Sequence, residues 1–432
     1  MTDPALDLAA LRHAAPPLAP GATYRVCFSG GLDSTVLLHA LVETGVAPLT
    51  AVHIHHGLQA VADNWVTHCT SVCVGLGIPL ETCCVRVAAD TAEGPEAAAR
   101  TARYAALRNV MQTGDCLVVA HHRDDQAETV LLRLLRGAGS AGLAAMRPFV
   151  PFAPGGLWRP LLDTPRATLQ AWAQVRGLEW VEDPQNQDTR YRRVWLRREI
   201  LPALRRVVPQ CDAVLARTAA VLAEDAELLA EVATADLQTL RTGVTLSVRG
   251  LLALTPARRH HALRAWLAEQ GFYAPDRAAL ERLDRDVLAA RADATPVLNL
   301  GQCELRRYRD ALHVMAPLPP VPQHDLQWRQ GASLVLPAGC GSLQAAAPPP
   351  AALDVRFPQG GERLKPANGV HTRTLKNLFQ EAGVPPWRRL RTPLVWHDGV
   401  LAWVGDVACS AQWQRWCQLH AWHLRWQVSA NT

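Results

Sequence analysis

The segment Ser29 to Ser34 reads S-G-G-L-D-S and has the residue types of a phosphate-binding loop. Gly30 and Gly31 let the backbone approach phosphate oxygens closely, and the N-terminus of the following helix offers free N–H groups and a favourable dipole. No lysine stands where a Walker loop has one, so this is not the loop of the usual ATPases. The residues predicted to bind a nucleotide are Ser29, Gly30, Gly31, Leu32, Asp33, Ser34 and Thr35.

Histidines follow the next predicted strand, in the segment V-H-I-H-H-G-L that begins at Val52. A strand end beside a nucleotide loop can line an adenine pocket, so His53 or His55 is a candidate contact for the base. Together with His56 they could also indicate zinc, but no cysteine or acid lies nearby at ligand spacing. We therefore predict a contact with the base rather than a metal site.

A third polar segment, A-H-H-R-D-D-Q-A-E-T, begins at Ala120 directly after a predicted strand and opens a helix. The carboxylates of Asp124, Asp125 and Glu128 gather at the start of that helix, where residues three apart share one face. An acid at a helix start also complements the helix dipole, and for one acid that explanation would suffice. A cluster at the carboxyl end of a strand instead favours binding of an ammonium group or of Mg²⁺.

Positive charge is concentrated in one segment of the chain. Seven arginines but only two acids lie between Asp188 and Arg206. Such a cluster can neutralise phosphates and steer a nucleic acid, whereas a solvated helix face is the ordinary alternative. Lys365 and Lys376 are the two lysines among 44 basic residues, and they share one C-terminal stretch, which hints at a use for a compact ammonium group.

The order of these motifs resembles that of the tRNA(Ile)-lysidine synthetases, which are PP-loop ATP pyrophosphatases. The resemblance is carried by S-G-G-L-D-S-T, H-I-H-H-G-L, E-A-A-A-R-T-A-R-Y, A-H-H-R-D-D-Q-A-E-T-V-L-L-R-L-L-R-G-A-G and W-R-P-L-L-D. It continues through W-V-E-D-P-Q-N-Q-D-T-R-Y, a helical segment, and then G-E-R-L-K-P and H-T-R-T-L-K-N-L-F-Q-E-A-G-V-P-P-W of the longer, three-domain members. The resemblance therefore covers the chain nearly end to end.

The resemblance implies a ligase that joins L-lysine to C2 of the wobble cytidine, position 34, of tRNA(Ile) with a CAU anticodon. ATP would be cleaved to AMP and pyrophosphate through an adenylated tRNA, and the resulting lysidine changes decoding from AUG to AUA. ATP with Mg²⁺ would take part as a substrate, without a permanent cofactor.

Roles at the ATP site follow from the resemblance. Asp33 would help to hold Mg²⁺ on the pyrophosphate. Arg100 or Arg103 would stabilise charge on the α phosphate as it is attacked, although an ion pair between Arg100 and Glu96 is the ordinary explanation for that spacing. The sequence does not separate Arg100 from Arg103.

Roles at the lysine and tRNA sites are assigned in the same way. Asp125 and Glu128 would bind the lysine ammonium, and His121 is the candidate base that removes its proton, with a satisfied buried histidine as the commoner alternative. Tyr191 and Trp195 offer planes for unstacked bases, although a core position is at least as good an explanation for Trp195. Val194 stands where many family members have asparagine, so no role is carried onto it. The predicted tRNA-binding residues are Arg190, Arg193, Arg197, Lys365 and Lys376.

Other functions make different demands on the sequence. A PP-loop tRNA thiolase generally needs a C-x-x-C or a reactive cysteine pair, whereas Cys69 and Cys73 are separated by three residues and Cys83 adjoins Cys84. An inactive tRNA-binding relative would show damage in the loop or the acidic cluster, and none is visible. An amidotransferase-like PP-loop synthetase would need a glutaminase portion, for which no nucleophile motif is present.

Apolar runs at 24–28, 49–54 and 116–120 alternate with amphipathic segments, which predicts a doubly wound parallel sheet with ligands at the carboxyl ends of its strands. Longer helical patterns follow, and proline clusters indicate linkers around the strand-like S-L-V-L-P. We predict an α/β PP-loop catalytic domain of the adenine nucleotide α-hydrolase-like type at 1–215 and a helical tRNA-binding domain at 216–316. A Pro-rich linker region at 317–352 then leads to a small mixed α+β, tRNA-binding domain at 353–432.

The bulk composition limits the class of protein. A length of 432 residues predicts roughly two to four domains, and 49% apolar with 19% charged residues indicates a globular chain. No apolar run approaches the ~20 residues that span a bilayer, and M-T-D-P lacks the basic start of a secretory signal, so we expect a cytoplasmic protein. Eleven scattered cysteines predict reduced thiols. The oligomeric state is left open, a homodimer included.

Overall fold

Apolar strands alternate with helices from Tyr24 onward in the computed structural model of the chain. The structure describes residues 6–55, 62–85, 95–182, 190–291 and 294–428. The chain divides into two compact units, Met1–Leu228 and Leu229–Thr432.

A single mixed sheet lies at the centre of the first unit. Its order is β3-β2-β1-β4-β6-β5, in which β5 is antiparallel to its neighbour and the other strands are parallel. The predicted doubly wound α/β fold is therefore confirmed, with β3, β5 and β6 as strands that the sequence analysis did not select. The strands are β1 Tyr24–Cys27, β2 Leu49–His55, β3 Leu80–Cys84, β4 Cys116–Val118, β5 Phe149–Phe152 and β6 Gly155–Trp158.

Helices cover both faces of this sheet. Leu37 and Trp172 belong to one buried apolar cluster with Val26 of β1, whereas Leu107 packs with Leu117 of β4 in a second cluster. The helices are α1 Leu8–His13, α2 Leu32–Glu43, α3 Ala62–Leu76, α4 Pro95–Val110, α5 Arg123–Leu134, α6 Ser140–Leu143, α7 Arg166–Val175, α8 Arg192–Trp195, α9 Leu201–Val207 and α10 Cys211–Leu240. A π-helical turn, Leu196–Ile200, joins α8 to α9.

The strand order has a topological switch point between β1 and β4. From β1 the chain proceeds to β2 and β3 on one side, and β4 then lies against the other side of β1. Such a switch point leaves a crevice at the carboxyl ends of the two central strands, where open α/β sheets bind ligands. The loop after β1 and the polar segment after β4 meet there.

The section of the second unit that was predicted to be helical also contains a sheet. The antiparallel order is β7-β8-β11-β10-β9, and its apolar face packs on the helices around Trp266 and Leu283. Its strands are β7 Arg241–Thr242, β8 Thr245–Ser247, β9 Val297–Asn299, β10 Glu304–Tyr308 and β11 Ala311–Met315. Its helices are α11 Val248–Ala253, α12 Pro256–Glu269 and α13 Arg277–Leu283, followed by a π-helical turn at Asp284–Leu288.

The C-terminal section consists of small antiparallel sheets and short helices. The sheet orders are β12-β15-β18-β19-β20, β13-β14-β21 and β16-β17. The strands are β12 Leu326–Trp328, β13 Ser333–Val335, β14 Ser342–Ala345, β15 Leu353–Arg356, β16 Arg363–Leu364, β17 Arg373–Thr374, β18 Leu394–His397, β19 Val400–Val404, β20 Ala408–Cys409 and β21 Leu424–Gln427. The helices are α14 Leu375–Glu381, α15 Pro386–Arg389 and α16 Ala411–Leu419.

The segment 317–352 differs from a simple linker. It contributes β12, which pairs with β15, and β14, which pairs with β21. Only its strand-like S-L-V-L-P was expected to be ordered, because the prolines around it carry no ladder donor and mask the pattern. Among the described residues, no helix is both long enough and apolar enough to cross a membrane.

Candidate active site at the carboxyl ends of strands 1 and 4

The loop between β1 and α2 has the geometry of an anion site. Gly30 has a positive φ of 80°, and Gly31 is the N-cap of α2 without a side-chain cap hydrogen bond. The first N–H groups of α2 are therefore left for a ligand. The hydroxyl of Ser34 donates to the Gly31 carbonyl at 3.0 Å, and Thr35 donates to the Gly30 carbonyl at 3.3 Å. These two hydroxyls fix the loop, and Leu32 is buried in the core.

Substitution of Gly30 by alanine is expected to distort this loop. A Cβ at Gly30 would lie 3.0 Å from the Cys69 sulfur and 3.2 Å from Val181, in a backbone conformation that L-residues rarely adopt. We expect a loss of about 1–3 kcal/mol in unfolding free energy and at least about a tenfold rise in the KM for ATP. Thermal melting and steady-state kinetics measure the two effects.

Gly77 provides the matched control for this substitution. It also has a positive φ, of 67°, but no atom lies within 4 Å of the position that a Cβ would occupy there. Gly77→Ala should therefore lower the unfolding free energy through backbone strain but leave the KM for ATP unchanged. Equal KM values for the two variants would contradict a phosphate-binding role for the loop.

The side chain of Asp33 lies at the start of α2, beside the polar segment that follows β4. Its Oδ2 is 3.6 Å from Nε2 of His122, and its Oδ1 is 3.5 Å from Nε of Arg166. Oδ1 is shielded from solvent and accepts no hydrogen bond from the described residues. At the start of α2 the site thus contains a shielded carboxylate oxygen that has an ion-pair neighbour but no hydrogen bond from the described residues.

His122 connects the loop to the acids of α5, although the sequence analysis did not select it. Its Nε2 is also 3.4 Å from Oδ2 of Asp125, and its Nδ1 accepts the Asp125 N–H in a capping box at the start of α5. Burial lowers the pKa of His122, but the surrounding carboxylates of Asp33, Asp125 and Asp124 outweigh burial, so the pKa lies above its ordinary value. The signal in the sequence that could have identified His122 is its spacing from Asp125, because an acid three residues after a helix cap is typical of a capping box.

Two carboxylates of α5 are paired with two arginines from the segment after residue 190. Oε2 of Glu128 accepts from Nε of Arg193 at 2.7 Å, and Oε1 accepts from Nε of Arg197 at 2.6 Å. Oδ1 of Asp125 lies 3.3 Å from Nη2 of each arginine. Glu128 is fully buried. We call Asp125, Glu128, Arg193 and Arg197 the carboxylate–arginine network, and its formal charges cancel.

The third acid of the segment, Asp124, has separate partners. Its Oδ1 accepts from Nη2 of Arg205 at 3.0 Å, and the same guanidinium also holds Asp212. Its Oδ2 accepts the Arg166 N–H at 3.2 Å. Asp124 therefore joins the starts of α5, α7 and α10.

His121, the predicted base, faces arginines rather than acids. Nδ1 accepts from Nε of Arg159 at 3.2 Å. Burial lowers its pKa to about 3, and the positive charges of Arg159, Arg193 and Arg100 act in the same direction against the nearby Asp125. A histidine with that pKa retains a proton poorly, so the environment disfavours the predicted role in proton removal.

His53 contacts the backbone directly before the nucleotide loop. Its Nδ1 lies 2.9 Å from the Phe28 carbonyl and 3.5 Å from the Cys69 sulfur, and its pKa is lowered by burial. A neutral His53 therefore donates to the backbone at the end of β1. His53 is only 3% exposed, so the described contacts do not favour the predicted contact with adenine. His56 lies outside the described residues.

Comparison with known proteins decides the family. The PP-loop domain family matches residues 10–204, the TilS substrate binding domain matches 246–313, and the TilS substrate C-terminal domain matches 353–426. The tRNA(Ile)-lysidine synthase of Xanthomonas campestris pv. campestris (strain 8004) is 42% identical over 96% of this chain and 97% of that protein. The enzymes of that name from Xylella fastidiosa (strain Temecula1) and Methylococcus capsulatus (strain Bath) are 44% and 43% identical, covering 96% and 92% of this chain and 97% and 93% of theirs.

The chain belongs to the tRNA(Ile)-lysidine synthase family. The family membership confirms the resemblance found in the sequence. It also accounts for the N-terminal PP-loop fold and for the C-terminal antiparallel sheets.

Two buried cysteines of this lysidine synthase family member, Cys69 and Cys73, are poorly suited to sulfur chemistry. Burial raises the pKa of Cys69 to about 12 and that of Cys73 to about 11. Thiols with such pKa values are protonated at neutral pH and are weak nucleophiles. The thiolase alternative is disfavoured on these grounds as well as by the spacing of the cysteines.

The residues predicted to bind tRNA fall into two groups. Arg193 and Arg197 belong to the carboxylate–arginine network, so the structure directs them toward Asp125 and Glu128. Lys365, after β16, and Lys376, on α14, are exposed. Arg190 is also exposed, near the half-buried Tyr191.

The predicted roles of several other motif residues are not decided by their positions in the structure. Trp195 is 41% exposed, so the base-stacking interpretation stays a prediction, whereas Val194 is half-buried. Arg100 and Arg103 both lie over the ring of Tyr104, with guanidinium carbons 5.0 and 5.6 Å from its centre. Residues 183–189 and the side chain of Glu96 lie outside what the structure describes.

Proposed function

We propose that this chain ligates L-lysine to C2 of the wobble cytidine of CAU-anticodon tRNA(Ile), with cleavage of ATP to AMP and pyrophosphate. The observation that carries this proposal is the contact of His122 with both Asp33 and Asp125. It joins a nucleotide loop to a set of buried acids, as a reaction that activates a base with ATP and then adds an amine requires. Family membership supports the same conclusion.

In the first step, the loop Ser29–Thr35 binds the phosphates of ATP through the uncapped N-terminus of α2. The C2 oxygen of cytidine attacks the α phosphorus, and pyrophosphate leaves. Arg100 is the proposed contact for the α phosphate, where its positive charge stabilises the transition state. His53 contributes by holding the end of β1.

Asp33 fits a role in binding Mg²⁺. Its Oδ1 accepts no hydrogen bond from the described residues, and Mg²⁺ in nucleotide sites is commonly bound by one or two carboxylates together with substrate phosphates. When bound, the ion would neutralise charge on the pyrophosphate.

In the second step, the ε-amine of lysine attacks C2, and AMP leaves with the oxygen. Asp125 and Glu128 are the proposed partners of the lysine ammonium. Because two guanidiniums already match these acids, the ammonium replaces one of them, and Arg197 is the more exposed, at 36% against 25% for Arg193. His122 has a raised pKa, and its Nε2 faces Asp125 while its Nδ1 accepts the Asp125 N–H, so its proposed role is to orient that carboxylate toward the ammonium.

The remaining predictions concern tRNA and the domains. We propose that Lys365 and Lys376 contact the tRNA backbone, since both ammonium groups are exposed. We also propose the boundaries 1–215, 216–316 and 353–432 for the catalytic domain and the two tRNA-binding domains, and a cytoplasmic location.

Incubation with ATP, Mg²⁺, labelled lysine and tRNA(Ile) bearing CAU tests the proposal. Label should enter the tRNA, AMP should form in equal amount, and tRNA bearing GAU should stay unlabelled because it has no cytidine at position 34. Sulfur transfer without lysine transfer would establish the thiolase instead. Binding of tRNA without AMP formation would establish an inactive relative.

A further inference from the structure

Five arginines from three parts of the first unit share one region beside the candidate active site. Arg100 and Arg103 lie on α4, Arg133 lies near the end of α5 with Arg136 one turn later, and Arg159 directly follows β6. None of them forms an ion pair with a carboxylate in the part of the chain that the structure describes. The region thus carries positive charge that the described side chains do not neutralise.

Tyr104 lies at the centre of this region. Arg100 and Arg103 contact its ring, and Arg159 lies near enough to interact electrostatically with its hydroxyl. An edge of the ring packs on Phe152, with ring centres 5.9 Å apart. The aromatic plane is therefore fixed, with guanidinium groups around it.

Backbone carbonyls hold the inner arginines in place. Nη1 of Arg133 donates to the carbonyls of Gly142 and Ala145 at 2.6 and 2.9 Å, and Nη1 of Arg159 donates to the Arg147 carbonyl at 2.8 Å. These contacts orient the guanidiniums without cancelling their charge. Burial lowers the pKa of both, and the positive charge of Arg100 adds to that effect.

The region lies beyond the ATP loop along α5. Eight residues separate Arg133 from Asp125, which corresponds to about 12 Å at 1.5 Å per residue. The nucleotide loop contacts the start of α5 through His122, whereas Arg133 and Arg136 are near its end. Arg159 lies nearer the site, since its Nε donates to Nδ1 of His121. The ligand that extends this far from the reacting base is the RNA strand that carries it.

We propose that Arg133, Arg136 and Arg159, with Tyr104, form a subsite for the RNA backbone next to the target cytidine. Guanidiniums bind the phosphates on either side of that base, and the Tyr104 ring holds Arg100 and Arg103 beside them. The inference rests on the proposed function for the identity of the RNA. Phosphates of ATP share the same chemistry, so the test separates the two sources.

Arg136→Gln is the first test variant, because Arg136 is exposed and no described side-chain contact depends on it. Arg12→Gln is the matched control, since Arg12 is an exposed arginine of α1 outside the cluster. Affinity for a CAU anticodon stem-loop is measured by fluorescence anisotropy over a range of KCl concentrations. We expect Arg136→Gln to weaken binding about three- to tenfold and to lower the salt slope by about 0.7, with no change for Arg12→Gln.

A double variant, Arg133→Gln with Arg136→Gln, extends the test. We expect binding to weaken about thirtyfold or more, and methylphosphonate replacement of the phosphates flanking the cytidine to cause a smaller further loss in this variant than in the wild type, because only Arg159 remains to bind them. Circular dichroism melting verifies that it is folded. Wild-type affinity and salt slope in the variants would overturn the subsite, as would a raised KM for ATP with unchanged RNA binding.

These binding measurements are independent of lysine transfer. If the wild-type protein fails to incorporate lysine while the variants still lose RNA affinity, the proposed ligase activity fails and the subsite stands. If lysine is incorporated and the variants bind RNA normally, only the subsite fails.

Discussion

Alanine in place of Asp33 is expected to lower AMP formation by on the order of a hundredfold or more, while tRNA affinity stays within about twofold. Asp33 Oδ1 has no hydrogen-bond partner among the described residues and lies 3.5 Å from Nε of Arg166, and Oδ2 is 3.6 Å from Nε2 of His122. Loss of Asp33 removes the carboxylate that is proposed to bind Mg²⁺ at the ATP site, so AMP formation falls. The affinity for tRNA depends mostly on contacts with the tRNA backbone and should change little. Pyrophosphate release and filter binding measure the two quantities.

Two further substitutions make the Asp33 result specific. Asp33→Asn keeps the shape and the hydrogen bond to His122 but removes the charge, so it should resemble alanine in activity. Asp7→Asn retains the N-cap of α1 and should change neither quantity. Equal losses of AMP formation and of tRNA affinity in Asp33→Ala would remove Asp33 from the ATP site.

Alanine in place of Glu128 is expected to destabilise the first unit and to slow lysine transfer strongly. Glu128 is fully buried and binds both Arg193 and Arg197, so its removal leaves two guanidiniums without their main partner. Because water reaches both arginines, we expect a loss of about 2–3 kcal/mol, which lowers the melting temperature by about 5–10 °C. Well below that temperature, lysine transfer should fall about a hundredfold while pyrophosphate release continues.

Glu227→Gln is the control for Glu128→Ala. Glu227 also pairs with an arginine, Arg147, but its side chain is 61% exposed. An exposed pair contributes little, so this variant should melt within about 2 °C of the wild type and transfer lysine normally. If the two variants melted alike, the carboxylate–arginine network would not stabilise the fold.

Features encoded in short segments were predictable from the sequence. The loop Ser29–Ser34 lies between β1 and α2 because an apolar strand, two glycines and a helical pattern follow one another. The strand–helix alternation likewise gave the parallel sheet. Both predictions rest on local backbone preferences and on the spacing of apolar residues along the chain. A single short segment contains all of that information.

Contacts between distant segments were not predictable in the same way. Arg193 was assigned to tRNA because it lies in an arginine-rich run, yet it pairs with Glu128, which is 65 residues earlier in the chain. Charge patterns in one segment do not specify a partner in another. His122 and His121 are adjacent in the sequence, but one faces carboxylates and the other Arg159, so opposite environments set their pKa values.

The cancelled charges of the carboxylate–arginine network have a consequence for enzyme engineering. A designer who wishes to replace lysine by a shorter or longer amine would first consider the two acids. Changing an acid alone, however, leaves a partly buried guanidinium without its main partner and lowers stability, so a change in specificity is confounded with a loss of stability. Libraries for altered amine use should therefore vary Glu128 together with Arg193 and Arg197 as one unit.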